Sequence, residues 1–531
     1  ISQSEYDEAV ADNVYDRIQL VNVELQDNGI NSYFIDELTD QVIRDLVEQK
    51  GYTETQAYKT LYQSGLTIYS TQDMDIQNIA DEEVNNQDNY TSSPKVSFSY
   101  RVSIRSTDGS VKNYSEQTML SYYKNKDNPN FKSTNYSINF ASEEDADAAI
   151  EQYKADIMQE GDEIVDGSET VIYTLQPQAS LTVLAQSTGE VKAIVGGRGD
   201  KTASKTLNRA TDTTRQPGST FKILAAYSAA LDAGGLTLAS VQDDAPYTYA
   251  GANGKSVNNY DRRYRGFTTL REAITDSINI VTVKTLAQAG VSLGWQYVQE
   301  YGFTTVDSRD MNEALALGGI TQGVSNLELT AAYAAIANQG TYIRPKFYTK
   351  ILDHDGNVLI DNTTPESHTV IKDTTAWLLT SAMEDVMTSG TGTSAYFGSS
   401  MAQAGKSGTT TSSRDALFAG YTPYYTCAVW GGYDDNAMQK GSDTNYPKRI
   451  WKAVMKRIHE DLAYKDFTKP SGIVAVAVCK ESGKLPIEGV CDHDPRGNCV
   501  ITEYFAQGTE PTEYCDHHTV ANICTASNML A

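Results

Sequence analysis

Arg215-Gln-Pro-Gly-Ser219-Thr-Phe-Lys222-Ile-Leu-Ala-Ala-Tyr-Ser-Ala-Ala230 is the stretch on which the reading of this 531-residue chain turns. Pro217 and Gly218 mark a turn, and the apolar, alanine-rich run that Ser219 opens predicts a buried helix. Residues three apart on a helix share a face, so Lys222 is placed to reach Ser219. A serine in a first helical turn also has free backbone N–H groups and the positive end of the helix dipole beside it. Two further short motifs follow in order, Ser277-Ile-Asn279 and Lys406-Ser-Gly-Thr409. Together the three supply a serine nucleophile, two lysines and polar groups able to relay a proton and grip a carboxylate. That set implies acyl transfer through a covalent serine ester.

Order and context carry this, since the motifs singly do not. Ser-x-x-Lys recurs at Ser92 to Lys95 and at Ser121 to Lys124, and Ser-x-Asn at Ser133, Ser137 and Ser256. Those copies sit in polar stretches rich in Asn and Tyr, where a serine and a surface lysine need no chemical role. A serine hydroxyl becomes a nucleophile only when a base takes its proton. Lysine serves as that base if burial or a second cation, here Lys406, destabilises its ammonium.

The motifs and their surroundings resemble the transpeptidase domain of class A penicillin-binding proteins. Ser187-Thr-Gly-Glu-Val-Lys-Ala-Ile-Val-Gly-Gly197 is similar to that family's first core hairpin. Asn208-Arg-Ala210, Leu317-Gly-Gly319, Ala332-Tyr-Ala-Ala-Ile-Ala-Asn338, Gly390-Thr-Gly-Thr393 and Asp415-Ala-Leu-Phe-Ala-Gly-Tyr-Thr-Pro423 fall where similar segments are expected. One departure is Ile223, where relatives usually carry proline, a packing change that touches no role.

The resemblance implies a D,D-transpeptidase of cell-wall synthesis, its partners peptidoglycan stem peptides and β-lactam antibiotics. By that resemblance Ser219 attacks the carbonyl between two terminal D-alanines, Lys222 is the base, and Ser277 with Lys406 relays a proton to the leaving group. Asn279 orients Lys222 and the donor. Ser407, Gly408, Thr409 and Thr411 form the substrate-binding set, the hydroxyls of Ser407 and Thr409 holding the terminal carboxylate. The backbone N–H groups of Ser219 and Thr409 form an oxyanion hole. No metal or organic cofactor is called for. A D,D-carboxypeptidase or β-lactamase would share the nucleophile but activate water, although no Glu-x-Glu-Leu-Asn segment of the deacylating kind occurs. A β-lactam sensor or wall-binding scaffold is the alternative from another class.

Length predicts two or three domains. The net charge of −26 argues against nucleic-acid binding, because no basic stripe offsets the acidic surface. No stretch reaches the ~18 apolar residues of a membrane span. Ile1-Ser-Gln-Ser-Glu-Tyr-Asp-Glu-Ala9 resembles the end of the glycosyltransferase domain that precedes this region in the family. The expectation is therefore a soluble, extracytoplasmic fragment of a bifunctional parent at the outer face of the bacterial cytoplasmic membrane, anchored only through a segment outside this chain.

The expected organisation is α+β, with a penicillin-binding/β-lactamase-like core of antiparallel sheet flanked by helices. Residues 1–88 read as a helical linker: Phe34, Leu38, Val42 and Leu46 recur at helix spacing up to Gly51, Thr53 is placed as the cap of a second helix, Leu66 to Ser70 as a strand and Asp73 to Glu83 as a third helix. Residues 89–178 read as a small α+β insertion of structural role, with an alternating strand over Val96 to Ile104, a turn at Asp108-Gly109 and a helix opening at Ser142. The transpeptidase domain is set at 179–465. It has paired strands at Ala179 to Ala185 and Val191 to Val195, a helical region over about 219 to 389 interrupted by loops, strands at Ala416 to Ala419 and Thr426 to Gly431, and a closing helix at Ile450 to Leu462. Residues 466–531 form a cysteine-rich extension containing Cys479, Cys491, Cys499, Cys515 and Cys524. In an extracellular chain these read as disulfides, one thiol staying free or pairing with Cys427, which lies in an apolar strand and reads as core packing. His493, His517 and His518 lie near and make zinc the alternative reading, but without a Cys-x-x-Cys pair disulfides are preferred and no metal is assigned.

Overall fold

The computed structural model describes residues 29–250, 254–364 and 366–520. The readings of Ile1 to Ala9 and of Cys524 lie outside the described residues. Ser32 caps the first helix, α1 (Tyr33–Lys50), and Gly51 ends it in the left-handed conformation that its missing Cβ permits. Thr53 closes a capping box on α2 (Glu54–Gln63). Then come β1 (Thr67–Ser70) and α3 (Met74–Asn85), capped by Asp73.

The next segment builds a core of its own. The strand β2 (Lys95–Arg105) pairs antiparallel with β3 (Val111–Ser115) and β4 (Thr170–Gln176), and two helices, α4 (Glu116–Lys124) and α5 (Glu143–Ile157), cover it. Phe98, Tyr100, Val102 and Ile104 alternate inward along β2 onto Leu120, Tyr123, Ile150 and Tyr153.

The central sheet has five antiparallel strands in the order β9-β10-β11-β5-β6: β5 (Gln178–Ala185), β6 (Glu190–Val195), β9 (Ala404–Thr409), β10 (Asp415–Tyr421) and β11 (Thr426–Gly432). Both faces are buried, which explains why these strands read as nearly continuous apolar runs. Leu417, Ala419, Ala428 and Trp430 face one core, while Phe418, Cys427 and Val429 face the other. The first core holds α6 (Leu270–Thr275), α7 (Asn279–Ala289), α8 (Asn326–Ala337) and α9 (Asp373–Thr388). The second is roofed by α3 and α10 (Tyr446–Ile458). Helices therefore lie against both sides of one antiparallel sheet, the α+β arrangement expected.

Three expectations need correction. The run from Ser219 is not one α-helix: it opens as a 3-10 turn over Gly218–Thr220, continues as a π-helix over Lys222–Tyr227 and becomes α only at Ser228–Asp232. The π register is visible where the Ser228 N–H donates to the carbonyl of Ile223, five residues back. The stretch from 219 to 389 is also not wholly helical. It contains β7 (Tyr348–Leu352) and β8 (Val358–Asp361), and β7 pairs with β1, so the N-terminal segment is stitched into the later chain. Finally, the extension is a hairpin of β12 (Ile473–Cys479) and β13 (Val500–Ala506) with long loops, and its described cysteines, 479, 491, 499 and 515, are free thiols rather than disulfides. Cys427 is buried in the second core, the packing role read for it.

Candidate active site

Ser219 sits at the floor of a cleft of about 390 Å³ whose walls include Gln216, Tyr249, Asn279, Leu317, Thr409 and Thr411. Backbone approach explains how two distant segments meet there. Gly218 takes a φ of +53°, and a Cβ on it would stand 3.1 Å from the Thr409 carbonyl carbon and oxygen. A Cβ on Gly408 would meet the Pro217 carbonyl oxygen at 2.6 Å, and one on Gly318 would meet that of Gly218 at 2.6 Å. Glycine at all three positions lets the edge strand β9 and the loop at 318 close on the turn that presents Ser219. Gln216 fastens the same loop, its amide oxygen accepting from the Ile320 N–H at 3.1 Å and its amide group donating to the Ile320 carbonyl.

Lys222, three residues after the serine, is fully buried. Its Nζ reaches the Ser277 carbonyl at 2.6 Å, Asn279 Oδ1 at 2.6 Å and Ser277 Oγ at 3.2 Å. Lys406 comes from the sheet edge and reaches the same Ser277 Oγ at 2.8 Å, so one hydroxyl bridges two lysines. Ser277 holds this place in the loop between α6 and α7 with φ at +55°, an uncommon conformation for a residue with a Cβ. Asn259 supports the loop by accepting from the N–H groups of Asn279 and Ile280, while its own amide is held by buried Asp244.

The electrostatics follow from this packing. Burial first, and then the charge of Lys406, hold the Lys222 ammonium well below the ordinary lysine value. Burial and then Lys448 bring Lys406 down to about 7. Of the remaining predicted residues, Thr409 and Thr411 line the cleft with Ser219. Gly408 packs beneath, and the Ser407 hydroxyl donates to Thr391 Oγ1 at 2.9 Å. Sequence reasoning did not single out Thr391 or Lys448, whose Nζ donates to the Thr391 carbonyl at 3.4 Å. The segment Gly390-Thr-Gly-Thr393 was the available signal for the first. Nothing in the sequence pointed to the second.

Residues 179–459 match the model of the penicillin binding protein transpeptidase domain. The chain belongs to the penicillin-binding protein transpeptidase family. Residues 469–520 further match the penicillin-binding protein 1A C-terminal domain. Among curated relatives, penicillin-binding protein 1A of Clostridium botulinum is 37% identical over 68% of this chain and 44% of its own length. Penicillin-binding protein 1A of Clostridium tetani is 30% identical over 98% of this chain and 58% of its own. The chain thus spans about half the length of the curated relatives it matches. In fold, the transpeptidase domain and its flanking segments are similar to penicillin-binding protein 1A of Haemophilus influenzae, with a TM-score of 0.66 at 22% identity over 97% of this chain and 80% of that one. Among the described residues no helix is long and apolar enough to cross a membrane.

Proposed function

We propose that this chain is a serine D,D-transpeptidase that cross-links peptidoglycan stem peptides outside the cytoplasmic membrane and is acylated by β-lactams. The single observation that carries the reading is the chain Lys222–Ser277–Lys406, linked through one hydroxyl and tied by Lys222 to Asn279, which lines the same cleft as Ser219.

The two lysines are suited to opposite protonation states. Lys222, dry and facing a second cation, loses its proton readily, and its neutral amine then serves as base toward Ser219. Lys406, at about 7, stays charged on the acid side of neutrality, where it attracts the donor's carboxylate and donates to the Ser277 hydroxyl. The Ser219 oxygen attacks the carbonyl between the terminal D-alanines, the Oγ–C bond forms to give a tetrahedral oxyanion, and its collapse breaks the C–N bond. The proton taken by Lys222 passes through the Ser277 hydroxyl to the departing amine. Thr409, at the cleft wall, is suited to the donor's carboxylate, and the Ser219 and Thr409 N–H groups to the oxyanion. Thr411 extends the same wall. An amine of a neighbouring stem then releases the acyl group. The relatives' greater length leaves room for a further domain, and by the family resemblance of Ile1 to Ala9 we take it to be a glycosyltransferase in a bifunctional parent.

Intact-mass spectrometry after incubation with penicillin tests the reading. One stable adduct is expected, mapping to Ser219 and absent from Ser219→Ala, which should keep its thermal midpoint. Rapid turnover of the penicillin would instead mark a hydrolase, and an adduct at Ser92, Ser121 or Ser277 would overturn the assignment.

A further inference from the structure

The hairpin of the C-terminal extension packs through Val478 and Phe505 on Ala239, but the loops around its cysteines have almost no apolar core. Cys479, Cys491, Cys499 and Cys515 are all buried, and the hydrophobic residues packed against them are Ile487 and Val500. A module this small needs a staple. Three of those thiols converge with an imidazole: Cys479, Cys491, Cys515 and His518 each offer one ligand atom, all within 4.8 Å of one another. His518 Nδ1 lies 3.4 Å from the Cys479 sulfur and 3.3 Å from that of Cys515. A tetrahedral zinc with Zn–S near 2.3 Å and Zn–N near 2.0–2.1 Å requires S···N edges of roughly 3.6 Å. The two His518 edges are already close to the shell such an ion imposes, and the Cys491 sulfur lies within 4.8 Å of the other three atoms.

We propose that the extension holds one structural zinc ion through the thiolates of Cys479, Cys491 and Cys515 and Nδ1 of His518. Three soft sulfurs and one imidazole select zinc over the hard cations, and four protein ligands leave no open position for chemistry. The surroundings fit the same role. His518 Nε2 donates to Asp494 Oδ2 at 2.7 Å, which fixes the tautomer with the Nδ1 lone pair facing the sulfurs. Asp494 is in turn gripped by the Arg496 guanidinium at 2.9 Å. The Ile487 N–H donates to the Cys491 sulfur at 3.3 Å, a contact that favours thiolate. The ligands also come from separate places: the last residue of β12, a turn at 491 and the segment 515–518. One ion would therefore tie the hairpin to both of its loops.

Asp494, Cys499 and His518 form a second grouping. It offers one thiol only, its carboxylate is committed to Arg496, and Cys499 already points its sulfur at the Gly497 carbonyl. A disulfide among the first three thiols would leave the third and the imidazole facing it. The metal uses all four groups.

Elemental analysis of the full chain, purified without chelator, should find close to one zinc per molecule. After chelation, cobalt(II) should restore the intense visible absorption of a tetrahedral thiolate site. Cys479→Ser, Cys515→Ser and His518→Ala should each abolish stoichiometric zinc, while Cys499→Ser and Cys427→Ser keep it. Asp494→Asn should weaken cobalt affinity roughly tenfold to a hundredfold, the usual range for a partner behind a ligating histidine. A native chain that holds no zinc and gives no cobalt spectrum overturns the proposal without recourse to any variant. So does a disulfide among Cys479, Cys491 and Cys515 in non-reducing peptide maps. Loss of zinc from Cys499→Ser as complete as from Cys515→Ser would transfer the metal to the second grouping and overturn the ligand set.

Discussion

Two lysines separated by one serine hydroxyl share a buried pocket, and the charge of Lys406 adds to burial in making the Lys222 proton harder to keep. Lys222→Arg keeps a cation there but supplies no base, because a guanidinium holds its proton above pH ~12. Penicillin acylation should fall by orders of magnitude in that variant, and a near-native rate in stopped-flow labelling would remove Lys222 from the role. Lys448 makes a finer test. Its charge helps to bring Lys406 down to about 7, so Lys448→Met should raise that value and let Lys406 stay cationic to higher pH. If the charged form is the active one, the alkaline limb of the second-order acylation constant moves up in pH. An unmoved or acid-shifted limb contradicts that assignment. The sequence made the motif residues legible because each is a short, ordered pattern. Lys448 and the Asn259–Asp244 support were not legible, because they meet the site only through the fold and carry no spacing signal.

At the scale of elements, periodicity served where one face is apolar and failed where glycine does the work. The helices α1 and α3 and the strand β2 show clean periods of about 3.6 and 2, with caps at Ser32 and Asp73. The edge strand β9, Ala-Gly-Lys-Ser-Gly-Thr, shows neither, yet it pairs residue for residue with β10, Lys406 opposite Ala419 and Thr409 opposite Ala416. Its glycines are needed for contact with Phe418 on one side and Pro217 on the other, which no propensity scale registers. The same closeness defeats the simple helix reading at Ser219, where the turn packed against β9 is 3-10 and the buried run behind it π. Gly408→Ala places a methyl 2.6 Å from the Pro217 carbonyl oxygen, so strand and turn must separate. The expected cost is about 1–3 kcal/mol of stability, the usual range for overpacking, with acylation reduced at least tenfold. A variant with native acylation and a native melt would show that the approach is not needed.

At the scale of the molecule, charged contacts join the outlying segments to the transpeptidase core alongside apolar packing, and the strongest of them can be tested singly. The segment around β2 touches the transpeptidase core where Ser137 and Asn139 reach Asp435 at 2.7 and 2.9 Å. The C-terminal hairpin is held more deeply. Arg271, on α6 ahead of Ser277, donates from Nε and Nη2 to Glu503 of β13 at 2.7 and 2.8 Å and from Nη1 to Asp385 of α9 at 2.7 Å. Glu503 is fully buried, so its carboxylate has exchanged water for this guanidinium. Such a pair is of uncertain net benefit when intact, since desolvation offsets much of the attraction, but losing one partner leaves a buried charge alone. Arg271→Met should therefore cost about 3–5 kcal/mol in denaturant unfolding. Trp377 stacks edge-on against Tyr504 at 5.1 Å and should report release of the hairpin as a change in fluorescence. The double variant Arg271→Met/Glu503→Met removes both charges at similar volume and should recover most of the loss. A single-variant cost under about 1 kcal/mol would mean that water reaches Glu503 and that the hairpin is not clamped by this pair. An equal loss in single and double variants would mean that Arg271 acts through Asp385 alone, holding the helix that leads to Ser277 rather than the extension.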